Sequence, residues 1–103
     1  MYKVLMIEDD AMIGDMVTMY LKEEGFHVIR EDNGSEGIAA IADFQPDLIL
    51  LDWVLPDTDG LTVCRHIRET SSVPIMIVSM KNKIVERVNA LGAGADDFMC
   101  KPF

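Results

Sequence analysis

The sequence is short, acidic and rich in apolar side chains: 103 residues, a net charge of −9 and 50% hydrophobic residues. This length allows one domain with a single core, and the composition excludes a disordered chain. The charge disfavours nucleic-acid binding by this segment, and no apolar run approaches the ~20 residues that span a bilayer.

The N-terminus and the cysteines indicate the compartment. Acidic residues at positions 8–10 follow the first apolar run too soon for a signal peptide. Cys64 and Cys100 match no metal-ligand spacing and are too few for a disulfide framework, so we expect two reduced thiols. The sequence therefore predicts a cytoplasmic protein that does not contact the membrane.

The first half of the chain reads as two strands, each followed by a helix. The apolar run from Lys3 to Ile7 predicts a buried strand that ends in acidic residues, and Phe26 to Arg30 predicts a more polar strand near a sheet edge. The first helix is expected to end at Gly25, and the second to start at Ser35 as N-cap and stop at Pro46. The apolar positions that define these helices are Ile13, Met16, Val17, Tyr20 and Leu21 in the first, and Ile38, Ile41 and Ala42 in the second.

A third strand leads directly to a carboxylate. Leu48 to Leu51 are apolar without alternation, as in a parallel strand that is covered on both faces. The strand stops at Asp52, and Pro56 with residues 57–60 then turns the chain. Asp52 is thus expected at the strand's carboxyl end, where open α/β sheets place their ligands.

Two more helices and two more strands complete the chain. Ile75 to Val78 is an unbroken apolar strand that exits at Ser79, and Phe98 to Cys100 is the last strand, which exits at Lys101. Each is preceded by a helix. The third helix is defined by Leu61, Cys64, Ile67 and Arg68, and the fourth is expected to turn Ile84, Val88 and Leu91 inward and to stop in residues 92–94.

This alternation predicts an α/β fold in which right-handed βαβ units form a doubly wound, five-stranded parallel sheet. The pattern alone does not determine the strand order. A flavodoxin-like order, 2-1-3-4-5, is attractive because it puts the switch point between the first and third strands, both of which end in acidic residues.

Four of the five strand exits carry reactive side chains, and a parallel sheet brings its exits to one edge. Carboxylates of Glu8, Asp9 and Asp52 about 4 Å apart would repel by several kcal/mol, so the cluster needs a proton or a cation. Mg²⁺ suits such a site and often shares its shell with a phosphoryl group. Ser79 can then donate to a phosphoryl oxygen, Lys101 can pair with its charge, and Asp52 is the candidate acceptor nucleophile.

Four motifs, in their order and spacing, resemble the receiver domain of two-component response regulators. They are Met-Ile-Glu-Asp-Asp, Leu-Leu-Asp-Trp-Val-Leu-Pro, Val-Ser and Gly-Ala-Asp-Asp-Phe-Met-Cys-Lys-Pro-Phe. The resemblance covers residues 1–103 as one receiver domain and implies the 2-1-3-4-5 order. It also implies a phosphorylatable switch with no external substrate, which assists its own phosphorylation and dephosphorylation.

The resemblance assigns roles to the residues at the strand exits. Asp52 would accept a phosphoryl group from the phosphohistidine of a sensor histidine kinase. Asp9, Asp52 and the backbone carbonyl of Val54 would hold Mg²⁺, with Glu8 assisting through water. Ser79 and Lys101 would bind the phosphoryl group, and the bond from Lys101 to Pro102 would be cis.

The same resemblance suggests how the signal is passed on. Ser79 and Phe98 would form the switch pair, with the hydroxyl moving toward the phosphoryl group as the ring turns inward. The fourth-helix face resembles that of the winged-helix (OmpR/PhoB-type) transcription-factor branch, which dimerises when phosphorylated and controls transcription through an attached output domain. Its residues here would be Arg87, Leu91, Asp96 and Asp97.

Three positions depart from the family pattern. Met80 stands where a small residue is usual, which affects the access of water to an acyl phosphate. Phe98 lacks the hydroxyl of the commoner tyrosine. The chain stops at Phe103, where a fifth helix should begin, so we expect a truncated receiver with apolar surface exposed on the first helix's side of the sheet.

Two other functions are compatible with the sequence. Residues 57–60, Asp-Thr-Asp-Gly, resemble the nucleophile loop of haloacid-dehalogenase-type phosphatases, although that loop follows the first strand there and is most simply a turn here. A pseudo-receiver that only binds partners is the other alternative. Asp10 is expected to be a helix cap or turn residue, and His27 and His66 to be structural.

Overall fold

The computed structural model describes residues 1–79 and 84–100, in which strands and helices alternate throughout. The strands are β1 (Lys3–Ile7), β2 (His27–Glu31), β3 (Leu48–Asp52), β4 (Ile75–Ser79) and β5 (Asp97–Cys100). The helices are α1 (Ala11–Glu23), α2 (Gly34–Phe44), α3 (Gly60–Arg68) and α4 (Ile84–Gly92). In the described part of the chain, none of these helices is both long and apolar enough to cross a bilayer.

The five strands form one parallel sheet in the order β2-β1-β3-β4-β5, which confirms the predicted flavodoxin-like fold. Leu51 lies opposite both Ile7 and Ile77, so the three central strands are in register at their carboxyl ends. The edge position predicted for the second strand is confirmed, although β2 starts at His27 rather than Phe26.

The core lies along the three central strands and beneath α3. Its largest fully buried apolar side chains are those of Leu5, Ile7, Ile49, Leu51, Ile75 and Ile77. Each such side chain contributes about 1.5–3 kcal/mol when it leaves water. Cys64, Val63 and Ile67 of α3 complete this core, and burial raises the pKa of the Cys64 thiol, which is free.

Each of the first three helices begins with a side-chain cap. The Asp10, Asn33 and Asp59 oxygens accept the backbone N–H three residues further on, at 3.1, 2.8 and 2.8 Å. Such caps are worth about 1 kcal/mol each. The prediction for Asp10 is confirmed. The prediction of Ser35 as the N-cap of the second helix is wrong, because Asn33 takes that position.

The fourth helix faces the sheet differently from the prediction. Ala90 is fully buried, whereas Val88 and Leu91 are 60% and 52% exposed, so the inward orientation expected for these two residues is wrong. The side chain of Ile84 lies outside the described residues. The helix does end where expected, with Gly94 at a φ of +106° just beyond it.

Arg68 anchors three segments at the amino-terminal edge of the sheet. Its Nε donates to the Gly94 carbonyl at 2.7 Å, its Nη1 to the Val73 carbonyl, and its Nη2 to Asp96 Oδ2 at 2.7 Å. The same Asp96 oxygen accepts the N–H of Ile75 at 2.8 Å. One guanidinium therefore joins the end of α3 to the entries of β4 and β5.

An apolar groove of about 460 Å³ runs beside α1, on the face of the sheet opposite to α3. Met16 and Tyr20 of α1 are 51% and 63% exposed at its rim. The apolar exposure predicted for this side of the sheet is therefore present. The remaining lining residues are Met6, Val17, Leu21, Leu50, Met76, Val78 and Met99.

Candidate functional site

The carboxyl ends of β1, β3 and β4 lie side by side and present the predicted side chains together. Glu8 follows β1, Asp52 ends β3 and Ser79 ends β4. All three are buried, at 2%, 8% and 2% exposure, and such burial is unusual for the carboxylates of Glu8 and Asp52. The sequence prediction that these exits converge is confirmed for this part of the edge.

Glu8, Asp9 and Asp52 form a three-carboxylate cluster. One oxygen from each lies within 4.8 Å of the others, and Asp9 is the exposed member. Two unit charges at that distance repel by about 3 kcal/mol at an effective dielectric near 20. Oxygen ligands from a few carboxylates suit Mg²⁺, so these residues have the composition and spacing of a divalent-cation site.

The first acidic loop is held by backbone contacts. The Glu8 N–H donates to the Glu31 carbonyl at 3.0 Å, and the Glu8 carbonyl accepts from Arg30 Nη1 at 2.8 Å. One Glu8 carboxylate oxygen accepts the Asp10 N–H at 3.2 Å, while the Asp10 side chain caps α1. The loop that carries two of the three carboxylates is thus fixed to β2 and to α1.

The loop after Asp52 is a compact turn that closes on itself. Val54 pairs with Asp59 in an isolated antiparallel bridge, and the Gly60 N–H donates to the Trp53 carbonyl at 2.7 Å. A Cβ on Gly60 would lie 2.5 Å from the Asp52 carbonyl oxygen, so only glycine fits there. The role of the Val54 carbonyl as a metal ligand stays a prediction.

Asp57 ties this loop to the start of α2. Its two carboxylate oxygens accept the Gly34 and Ser35 N–H groups at 2.8 and 2.9 Å. The hydrogen bond from Gly34, followed by that from Ser35, lowers the pKa of the Asp57 carboxyl below its ordinary value. Asp57 binds the first two N–H groups of α2 and Asp59 caps α3, which favours the turn interpretation of residues 57–60 over a phosphatase nucleophile loop.

The Asp57 contact predicts a pH-dependent stability difference. A carboxyl whose pKa is lower in the folded state stabilises the fold above its unfolded pKa, near 3.8, and loses that contribution as the pH falls through the folded value. Asp57→Asn should therefore lower the melting temperature at about pH 7, with the difference from wild type shrinking toward about pH 3. Circular dichroism melts at both pH values measure this, with Asp43→Asn, an exposed site on α2, as control. A difference of the same size at both pH values would contradict it.

The proposed switch residues, Ser79 and Phe98, lie on the neighbouring strands β4 and β5. Ser79 is buried, and Phe98 is half-buried with its ring edge-to-face against Trp53 at 6.0 Å between centroids. The Arg87 guanidinium lies over the Phe98 ring, 5.6 Å from its centroid. Phe98 therefore connects the Asp52 loop, through Trp53, with the fourth helix. Lys101, the bond from Lys101 to Pro102, and Met80 lie outside the described residues.

The four residues expected on the fourth-helix face are all exposed. Arg87 and Leu91 lie on α4, and Asp97 is the first residue of β5. The Asp96 carboxylate is bound by Arg68 and by the Ile75 N–H. Their role as a dimer interface stays a prediction.

Sequence reasoning missed three residues that shape the site, namely Arg30, Asp57 and Gly60. The sequence pattern places Arg30 only in a polar strand, and it places Asp57 and Gly60 in a turn that also resembles a phosphatase nucleophile loop. A glycine at position 14, inside a helix, was the available signal for Arg30, because a helix interior disfavours glycine unless a neighbour needs the space.

Comparisons with known proteins agree with this geometry. The family model described as the response regulator receiver domain matches residues 4–103. The chain is 42% identical over 101 residues to the transcriptional regulatory protein ResD of Bacillus subtilis, and 40% identical over 101 residues to the DNA-binding response regulator MtrA of Mycobacterium tuberculosis. Each match covers 98% of this chain but only 42% and 44% of those proteins, so the chain spans less than half their length.

Solved structures show the same fold. A two-component response regulator from Clostridium difficile superimposes with a TM-score of 0.97 at 33% identity, over 100% of this chain and 85% of that one. The BeF3-activated receiver domain of RstA from Klebsiella pneumoniae gives a TM-score of 0.94 at 33% identity, over 98% of this chain and 86% of that one.

Proposed function

Because this chain belongs to the response regulator receiver domain family, we propose that it is a phosphorylation-dependent switch in which Asp52 accepts the phosphoryl group. The observation that supports this most directly is the three-carboxylate cluster of Glu8, Asp9 and Asp52 at adjoining strand exits. Asp52 is one of its two buried members, and it ends β3, which lies between β1 and β4 in the sheet.

Each residue of the site would have a separate role in phosphoryl transfer. An Asp52 carboxylate oxygen attacks phosphorus, the bond from phosphorus to the kinase's histidine nitrogen breaks, and the imidazole leaves with the bonding electrons. Asp9, Asp52 and the Val54 carbonyl would hold Mg²⁺, with Glu8 assisting through water, and the ion would reduce the charge repulsion between the carboxylate and the incoming phosphoryl oxygens. The Ser79 hydroxyl donates to one phosphoryl oxygen, and Lys101 pairs with its charge.

The output of the switch involves the fourth-helix face. Ser79 and Phe98 are the switch pair, and Phe98 contacts both Trp53 beside the acceptor and Arg87 on α4. We assign the phosphoryl donor as a sensor histidine kinase, and we assign homodimerisation to the face that carries Arg87, Leu91, Asp96 and Asp97. The relatives named above are a transcriptional regulatory protein and a DNA-binding response regulator, which supports transcription as the output of the whole protein. The assignment to the cytoplasm stays a prediction.

Intact-mass analysis tests the proposed function. After incubation with acetyl phosphate and Mg²⁺, the chain is expected to gain the mass of one phosphoryl group, and EDTA in place of Mg²⁺ should prevent the gain. Circular dichroism on the same samples establishes that the chain is folded. A folded chain that gains no mass would overturn the proposal and favour a binding-only pseudo-receiver. An equal gain in EDTA would overturn the Mg²⁺-dependent mechanism at the three-carboxylate cluster.

A further inference from the structure

Arg30 reaches from β2 to the backbone of the acidic loop. β2 is an edge strand paired with β1, and Arg30 lies opposite Met6 in that pair. The side chain extends past the end of β1, where Nη1 donates to the Glu8 carbonyl at 2.8 Å. Because the Glu8 N–H is also bonded, to the Glu31 carbonyl at 3.0 Å, both backbone polar groups of Glu8 are held by β2.

Gly14 provides the space in which this side chain lies. It is a buried residue of α1, and a Cβ there would collide with Cδ of Arg30 and lie 2.7 Å from its Nε. Glycine is disfavoured relative to alanine inside a helix, so its presence needs a reason. The contact with Arg30 supplies that reason, since any larger residue would displace the guanidinium from the Glu8 carbonyl.

The Glu8 carbonyl belongs to the peptide unit that joins Glu8 to Asp9. Fixing this oxygen fixes the plane of that peptide, and with it the directions in which the two carboxylates leave the backbone. Both carboxylates must point toward Asp52 for one oxygen of each to lie within 4.8 Å. Groups that orient metal ligands in this way commonly affect metal affinity as strongly as some ligands do.

We infer that Arg30 is a positioning residue for the divalent-cation site, which holds the Glu8–Asp9 peptide so that both carboxylates face Asp52. The inference rests on the proposed function, in that the cluster binds Mg²⁺. It adds a residue of the edge strand β2 to a site otherwise built from the exits of β1 and β3.

The charge of Arg30 and its hydrogen bond predict opposite changes in Mg²⁺ affinity when Arg30 is replaced. A guanidinium near three carboxylates opposes a second cation, so removing its charge alone should tighten Mg²⁺ binding. Removing the hydrogen bond should instead let the Glu8–Asp9 peptide rotate and weaken Mg²⁺ binding. The sign of the change therefore distinguishes a positioning role from a purely electrostatic one.

Titration of the chain with MgCl₂ measures this sign. Trp53, the only tryptophan in the sequence, adjoins Asp52 and serves as the fluorescent reporter. Arg30→Met is expected to raise the Mg²⁺ dissociation constant about ten-fold, and Arg30→Lys, which keeps a charge and a donor, less than that. Arg65→Met, at an exposed position on α3, removes the same charge elsewhere and should leave the constant unchanged or slightly lower.

Gly14→Ala gives an independent test in which Arg30 itself is retained. The added methyl should displace the guanidinium and raise the dissociation constant in the same direction as Arg30→Met. Gly92→Ala is its matched control, because nothing lies within 4 Å of a Cβ at that position. Melting temperatures in EDTA are recorded for every variant, since a merely structural role would lower these without changing the Mg²⁺ constant.

The outcomes separate this inference from the proposed function. If wild type shows no Mg²⁺-dependent signal, and its melting temperature is also unchanged by Mg²⁺, the proposed function fails and the role of Arg30 fails with it. If wild type binds Mg²⁺ and folded Arg30→Met binds equally or more tightly, the positioning role alone is overturned. Should Arg30→Met fail to fold, Gly14→Ala decides in the same way, because it displaces the guanidinium while Arg30 is retained.

Discussion

Asp52→Asn is expected to reduce the Mg²⁺-dependent phosphoryl mass gain to background while making the metal-free protein more stable. The amide oxygen is a poor nucleophile and cannot form the acyl phosphate. The same change removes one of three carboxylates whose oxygens lie within 4.8 Å, and two of those carboxylates are buried. Relief of that repulsion should raise the free energy of unfolding in EDTA by about 1 kcal/mol.

Two measurements check this prediction together. Intact mass after acetyl phosphate treatment reports the acceptor, and thermal melts in EDTA and in Mg²⁺ report the cluster. Mg²⁺ should raise the melting temperature of wild type more than that of the variant, because the variant offers one fewer anionic ligand. Asp43→Asn on the exposed side of α2 is the matched control and should behave as wild type. A phosphoryl gain that persists in Asp52→Asn would place the acceptor elsewhere.

Gly60→Ala is expected to destabilise the fold by about 3 kcal/mol, a loss of more than about 10 °C in melting temperature. The new Cβ would lie 2.5 Å from the Asp52 carbonyl oxygen and 3.0 Å from Trp53 Cα, and both are backbone atoms that no side-chain rotation can move. Relief requires the turn after β3 to open, which breaks the bond from the Gly60 N–H to the Trp53 carbonyl at 2.7 Å.

The loss of stability should be accompanied by a loss of site geometry. The displaced backbone is that of Asp52 itself, so Mg²⁺ affinity, measured by Trp53 fluorescence at a temperature where the variant is folded, should also fall. Gly92→Ala is again the control, since it adds the same methyl group in open space. If Gly60→Ala melts within a few degrees of wild type, the close approach of α3 to the acceptor strand is incorrect.

The strand exits were predictable from sequence because their signal is local. An apolar run that stops at Glu8, Asp52 or Ser79 marks a buried strand and its end, and a parallel sheet then brings these ends to one edge. The start of α2 has a local signal as well, because Asn33 is followed three residues later by Glu36 and its side chain accepts the Glu36 N–H. The contact of Asp57 with the Gly34 and Ser35 N–H groups could not be predicted, because it joins residues more than twenty positions apart.

The fourth helix shows a second limit of sequence patterns. Val88 and Leu91 are larger and more apolar than Ala90, so periodicity alone turns them inward, yet Ala90 is the residue that meets the sheet. A small residue allows a helix to approach its sheet closely, and the larger side chains are then left on the outer face. Which side chains of α4 face the sheet therefore depends on the distance between the helix and the sheet. That distance is a property of the tertiary structure, and no local sequence pattern encodes it.

The Arg68 and Asp96 contacts also have a consequence for how the domain opens. The Asp96 carboxylate oxygen is shared by the Arg68 guanidinium and the Ile75 N–H, and Arg68 in turn holds the carbonyls of Val73 and Gly94. If β4, β5 or the last turn of α3 frayed, the charged hydrogen bonds that connect that segment to the other two segments would therefore break. These three segments should exchange their amide hydrogens as one cooperative unit, distinct from the edge strand β2.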